Sequence, residues 1–366
     1  MLRIAQAIAL FAIVASGTVH GDPLLELSTN SEVTQGRDVI HDKSICWLET
    51  PYGEYRRIRL NEVTSFRKLS ERFVPATSAL VRTQLRNELS REYAVKSIGD
   101  YVVAAVPGRV DAYGNHLNEV SRSVKSYFSR RGFLLQDNAM PLVVIVFATR
   151  EEFLTHAEQE RKTPGDTVLG YYHPISNRIV TYDASAGGDI ASGVKKTLAH
   201  EAVHQLCFNL GLMPRLSKLP IWLVEGLAVT LELPSCRTGT GSQAQRVHPD
   251  QLVQLSGVLK RQSSLELSAF VANDQSYFRD NTLDAYAISW AMTFYLMETQ
   301  SKQFSAYLEH VGGRSPLGIY PESERLADFQ QFFGNDVHWF EVRLRRYMQE
   351  LLNDTTSTRM SVVPGS

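Results

Sequence analysis

Leu198-Ala199-His200-Glu201-Ala202-Val203-His204-Gln205-Leu206 is the stretch on which the reading of this chain turns. The run from Val194 to Leu210 holds neither Pro nor Gly and is rich in Ala, Leu, Glu and Gln. It therefore predicts a helix, with Gly211 placed to cap its C-terminal end. Helical side chains four apart stand one above the other, so His200 and His204 present both imidazoles to one point. Such a pair suits a tetrahedral zinc ion, with Glu201 beside it as general base for a water at the open position. Leu198, Ala199, Ala202, Val203, Leu206, Phe208 and Leu210 surround these groups, so the helix is expected to be buried on most sides. Two imidazoles and a carboxylate buried without strong partners are costly, and a metal removes that cost.

A third protein ligand is required, and Pro220-Ile221-Trp222-Leu223-Val224-Glu225-Gly226-Leu227-Ala228-Val229 supplies a candidate. With Pro220 at its first turn the segment reads as a second helix. Glu225 is its only charge, and a buried carboxylate in such company needs either a basic partner or a metal. The expected site is one zinc per chain on His200, His204 and Glu225, with a fourth position open to water. Gly226 is expected to let the two helices approach closely.

Taken together, His200-Glu201-Ala202-Val203-His204-Gln205-Leu206 and Pro220 to Ala228 resemble the gluzincin pattern of metallopeptidases. More narrowly, they resemble the peptidase MA-like domain of a secreted bacterial family of unknown function. The resemblance spans roughly Asp100 to Leu352, weakly outside the two helices. It implies zinc held by His200, His204 and Glu225, a catalytic Glu201, and a peptide or protein substrate. The third His that extends the motif in metzincins is absent, because Gly211 and Arg215 occupy that region. Some gluzincins also use a helix-borne Tyr to stabilise the oxyanion. Tyr286 is the candidate here, although it shares a helical stripe with Trp290, Phe294 and Met297 that suits a core equally well. Peptidases of this type also resemble one another in running an edge strand along the cleft, a place expected for the Leu169–Tyr182 hairpin.

Outward from the motif, the frame is that of an ordinary globular chain. With 366 residues, 43% hydrophobic content and net charge −1, there is ample core and no case for nucleic acid as main partner. Met1-Leu2-Arg3, the apolar run Ile4 to Val14 and the small residues after it read as a signal peptide over residues 1–21. Export to the periplasm, envelope or medium is expected, an uncleaved membrane anchor being the alternative; no later segment reads as a span. Residues 22–42 are polar and mixed and read as a flexible lead-in. Residues 43–98 read as a small hairpin-and-helix module, basic through Arg56, Arg57, Arg59, Arg67, Lys68 and Arg72. Such a surface could dock on anionic envelope material, but more often it is a solvated sheet face.

The main domain is expected over 99–352. Strands at Tyr101–Val106 and Leu142–Phe147 alternate with helices, the second opened by a Thr149/Glu152 capping box, and a hairpin spans Leu169 to Tyr182. A cleft-rim loop over 234–249, a helical subdomain to residue 352 and a disordered tail over 353–366 follow. The fold class is thus α+β: a small mixed sheet packed on helices that include the zinc helix, then a mostly helical C-terminal part. Cys46, Cys207 and Cys236 leave at least one thiol unpaired, and Cys207 is a less favoured alternative ligand. The function expected is a zinc metallopeptidase. A zinc-stabilised, non-catalytic scaffold or binding protein of the cell envelope is the alternative, and an intact Glu201 counts against it.

Overall fold

The computed structural model describes residues 22–137, 140–185 and 189–361, so the proposed signal peptide lies outside the described residues. The structure is α+β, with two five-stranded sheets and fourteen α-helices among the described residues. The chain divides into two compact units. The first holds the described residues up to Asn115, 140–166 and 171–185; the second holds 116–137, 167–170 and 189 onward.

The first unit opens with a sheet ordered β4-β3-β2-β1-β5, built from Leu24–Thr29 (β1), Val33–His41 (β2), Ile45–Glu49 (β3), Tyr55–Arg59 (β4) and Val63–Ser70 (β5). The expected flexible lead-in over 22–42 is therefore corrected to two paired strands. Leu25 and Leu27 alternate inward to a core with Cys46, Leu48, Ile58 and Leu60, while Glu26 between them pairs with Arg67 and Gln35 on the other face. Several basic residues of this sheet pair with acids: Arg37 with Glu49, Arg56 with Glu54, Arg59 with Glu62 and Lys68 with Glu71.

The second sheet is ordered β6-β7-β8-β10-β9, from Ala94–Ile98 (β6), Tyr101–Ala105 (β7), Leu142–Phe147 (β8), Gly170–His173 (β9) and Arg178–Tyr182 (β10). The expected strands at 101 and 142 are present and parallel to each other, and β10 runs parallel to β8. β7 and β8 are wholly buried, as their continuous apolar runs require. Helices form at Ser78–Glu88 (α1), Val110–Ser129 (α2) and Arg150–Gln159 (α3), and the expected Thr149/Glu152 capping box opens α3.

The second unit is helical. Ser192–Asn209 (α4) carries both histidines, and Gly211 just past its end adopts φ +78°, the left-handed geometry of a C-terminal cap. Ile221–Leu231 (α5) starts on Pro220. Where a loop was expected over 234–249, two short helices form, Pro234–Thr238 (α6) and Gln243–Arg246 (α7), each begun by a local cap or Pro signal. Helices follow at Pro249–Arg261 (α8), Leu267–Ala272 (α9), Asp274–Asp280 (α10), Thr282–Thr299 (α11), Ser301–Gly312 (α12), Glu322–Phe333 (α13) and Val337–Ser361 (α14). The last of these corrects the tail expected from residue 353: helical hydrogen bonding carries on to Ser361, and only 362–366 lie outside the described residues. Among the described residues no helix is long and apolar enough to cross a membrane.

Candidate metal centre

The His-Glu-x-x-His segment falls in the middle of α4, so helical geometry alone stacks His200 on His204. Their Nε2 atoms are 3.2 Å apart, and Glu225 Oε2 from α5 stands 3.3 Å and 3.5 Å from them. A tetrahedral ion with bonds of about 2.0–2.1 Å separates its ligand atoms by about 3.3–3.4 Å, so all three spacings match. Among the described residues this trio is the only group of three such side chains placed to share an ion. Glu225 Oε2 is buried and forms no well-shaped hydrogen bond of its own, as an atom aimed at a point between the imidazoles requires. The residues present fit a metal.

Burial alone would raise the Glu225 carboxyl, but His204 and His200 hold it well below the usual carboxylate range. Burial would likewise lower the His200 imidazole, and Glu225 with Glu232 raise it well above its ordinary value.

Glu232 was not anticipated. Its Oε2 lies 2.9 Å from His200 Nδ1 and its Oε1 2.7 Å from His248 Nε2. Burial pushes this carboxyl up, yet the two imidazoles hold it down at about 2. A carboxylate on Nδ1 fixes the ring's orientation and tautomer and leaves Nε2 free for a metal. The available signal was spacing: Glu232 follows Glu225 by seven residues, two helical turns along one face. Nothing local in the sequence marked His248.

The ligand helix is anchored at both ends by charged side chains from outside it, one distant in sequence and one close by. Pro220 offers no side-chain cap, and the wholly buried Asp274 instead accepts the Trp222 N–H at 2.8 Å while pairing with Arg325 at 2.9 Å. At the other end the buried Arg237 donates to the carbonyls of Leu231 and Glu232 at 2.6 Å and 2.7 Å. A negative charge at the N-terminus and a positive one at the C-terminus both suit the helix dipole.

Gly226 permits a close approach, but not the one expected. A Cβ there would lie 2.2 Å from Thr293 Oγ1 and 2.7 Å from the Ser289 carbonyl oxygen, so the helix that needs the space is α11 rather than α4. Neighbouring positions on a helix diverge by about 100°, so 225 and 226 serve different neighbours. That contact brings in Tyr286. Its pKa is driven far up by burial, then by the negative charges of Glu225 and Glu201. It remains a protonated donor beside the ligand set.

His200, Glu201, Glu232 and Tyr286 line one cavity of about 560 Å³, with Thr167 to Gly170, Lys196, Asp250, Gln251, Gln254 and Leu283. Gly170 is the first residue of the edge strand β9. Cys207 is not among the metal-competent groups. All three thiols are free and buried, and burial pushes that of Cys207 up to about 12.

Residues 195–318 match a family described as "Protein of unknown function (DUF1570)". The matched segment holds both ligand helices from Lys195 onward, together with Glu232, His248 and Tyr286. No curated protein matches the chain.

Proposed function

We propose that this chain is an exported zinc-dependent hydrolase, a metallopeptidase of gluzincin type acting on peptide or protein substrates, with cell-envelope material among the candidates. One observation carries the reading: His200, His204 and Glu225 converge at tetrahedral spacing, and His200 borders a cavity that Glu201 and Tyr286 also line. Zinc, when bound, supplies Lewis acidity to a scissile carbonyl and acidifies the attacking water. Glu201 takes the proton from that water and returns it to the leaving amine. Glu232 holds His200 with its Nε2 lone pair turned away from the carboxylate. Tyr286 offers its O–H to the developing oxyanion. Export rests on the composition of residues 1–21, so the mature chain is expected to begin near Asp22.

The test compares wild type with Glu201→Gln for zinc content and for cleavage of an unbiased peptide library. About one zinc per chain is expected in both, with hydrolysis in the variant reduced by about 10²-fold or more, the scale of a lost general base. Equal rates on every cleaved peptide would assign the activity to a contaminant or to other residues. A zinc-loaded wild type that cleaves nothing yet binds envelope material would establish the non-catalytic scaffold instead.

A further inference from the structure

The first unit holds a second cavity, of about 710 Å³, well inside the size range of small-ligand sites. One wall is the outer face of the β3–β4 hairpin. Cys46 pairs with Ile58 toward the core, so Trp47 with its partner Arg57, and Tyr55 diagonally across, share the opposite face. Trp47 and Tyr55, both half-buried, line the cavity.

The facing wall is a polar network assembled at some cost. Glu160 accepts the Tyr171 hydroxyl at 2.9 Å and lies 3.3 Å from His173 Nδ1, and Ser176 Oγ is 3.2 Å from the same nitrogen. Arg178, only 8% exposed at its side chain, is bound between Glu54 and Glu88. His156 in the same wall is buried, and its Nε2 has no hydrogen-bond partner. Burying paired charges seldom improves stability, so a network of this kind along an open cavity calls for another role.

The lining selects a ligand class. Four Glu face four Arg, so no net charge is left for an ion to neutralise. Among the described residues no metal-competent trio occurs here. Paired carboxylates, guanidiniums and hydroxyls present donors and acceptors side by side, which matches groups that are both at once. The aromatic faces offer flat apolar area. We propose that this cavity binds a neutral saccharide, its hydroxyls on the Glu160–His173–Ser176 wall and its C–H face on Trp47 and Tyr55. The ligand is either a free oligosaccharide or the end of an insoluble glycan.

Calorimetric titration of the mature full-length protein with cellotriose, maltotriose and triacetylchitotriose tests the idea, with inorganic phosphate as the charged comparator and pull-down on insoluble cellulose and chitin for the polymer arm. Binding to at least one neutral saccharide is expected, about tenfold weaker or worse in Trp47→Ala and in Arg57→Ala, on the order of one lost buried contact. Both substitutions lie off the core face, and circular dichroism checks their folding. Trp339→Ala, at an exposed tryptophan of the other unit, should bind as wild type does. No heat with any saccharide and no retention on either polymer, binding of phosphate alone, or saccharide binding that survives both cavity substitutions overturns the assignment. Because the cavity belongs to the first unit and these readouts need no metal, either outcome leaves the hydrolase reading standing on its own test.

Discussion

Replacing Glu232 by Gln tests the proposed metal centre without touching a ligand. The carboxylate uses one oxygen on His200 Nδ1 at 2.9 Å and the other on His248 Nε2 at 2.7 Å, with Lys196 Nζ 3.5 Å away. A Gln side chain keeps the volume but offers a single carbonyl oxygen. Whichever imidazole receives it, the other meets an NH2 donor, so one charge-assisted hydrogen bond is lost in a buried setting. Such bonds are worth about 1.5–3 kcal/mol, and removal of an outer partner of a metal-ligating His costs about 10–100-fold in metal affinity; the two scales agree. The expected result is a zinc dissociation constant raised about 10–100-fold, read by competition with a chromophoric chelator, while the fold seen by circular dichroism is retained. His248→Ala should weaken zinc less, because it leaves the His200 contact intact. Wild-type affinity in Glu232→Gln would show that His200 is oriented by packing alone.

The other predictions are direct. Glu225→Ala should abolish stoichiometric zinc, measured by atomic absorption, and full retention would return Glu225 to the role of a buried ion-pair partner. Gly226→Ala should lower stability by about 1–3 kcal/mol from the clash with Thr293 and Ser289, offset by up to about 1 kcal/mol of helix propensity; an unchanged denaturant midpoint would refute the close approach. Glu160 gives a pH signature. Burial opposes its ionisation, yet His173, Ser176 and Tyr171 hold its pKa at about 2, below the ordinary 4.5 of a free glutamate. A depressed carboxyl contributes stability fully present above about pH 4.5 and lost as pH falls toward 2, here up to about 3 kcal/mol for a side chain 11% exposed. The stability gap between wild type and Glu160→Gln should therefore narrow between pH 5 and pH 2.5, and a constant gap in urea melts would refute the assignment.

Much of the α+β architecture was legible because its signals are local. Tyr101–Ala105 and Leu142–Phe147 are continuous apolar runs, and the Thr149/Glu152 capping box marks the start of α3. The N-terminal strands were misread because polar outer residues mask the inward alternation of Leu25 and Leu27, which gains meaning only once β3 and β5 supply partners. The C-terminal helix beyond residue 353 was misread because its composition looks like that of a solvated tail.

By itself the sequence determined the metal-competent trio. Two imidazoles four residues apart converge on any α-helix, and a lone carboxylate in an apolar helix has few other ways to be satisfied. Tertiary structure alone decided what surrounds that trio. Glu232 reaches His200 across 32 residues, Asp274 caps the ligand helix from 52 residues away, and Gly226 turns toward Tyr286's helix rather than toward the histidines. Periodicity reports which face a side chain occupies. Which helix packs on that face depends on how all the elements close around one core, and no local window of sequence contains that information.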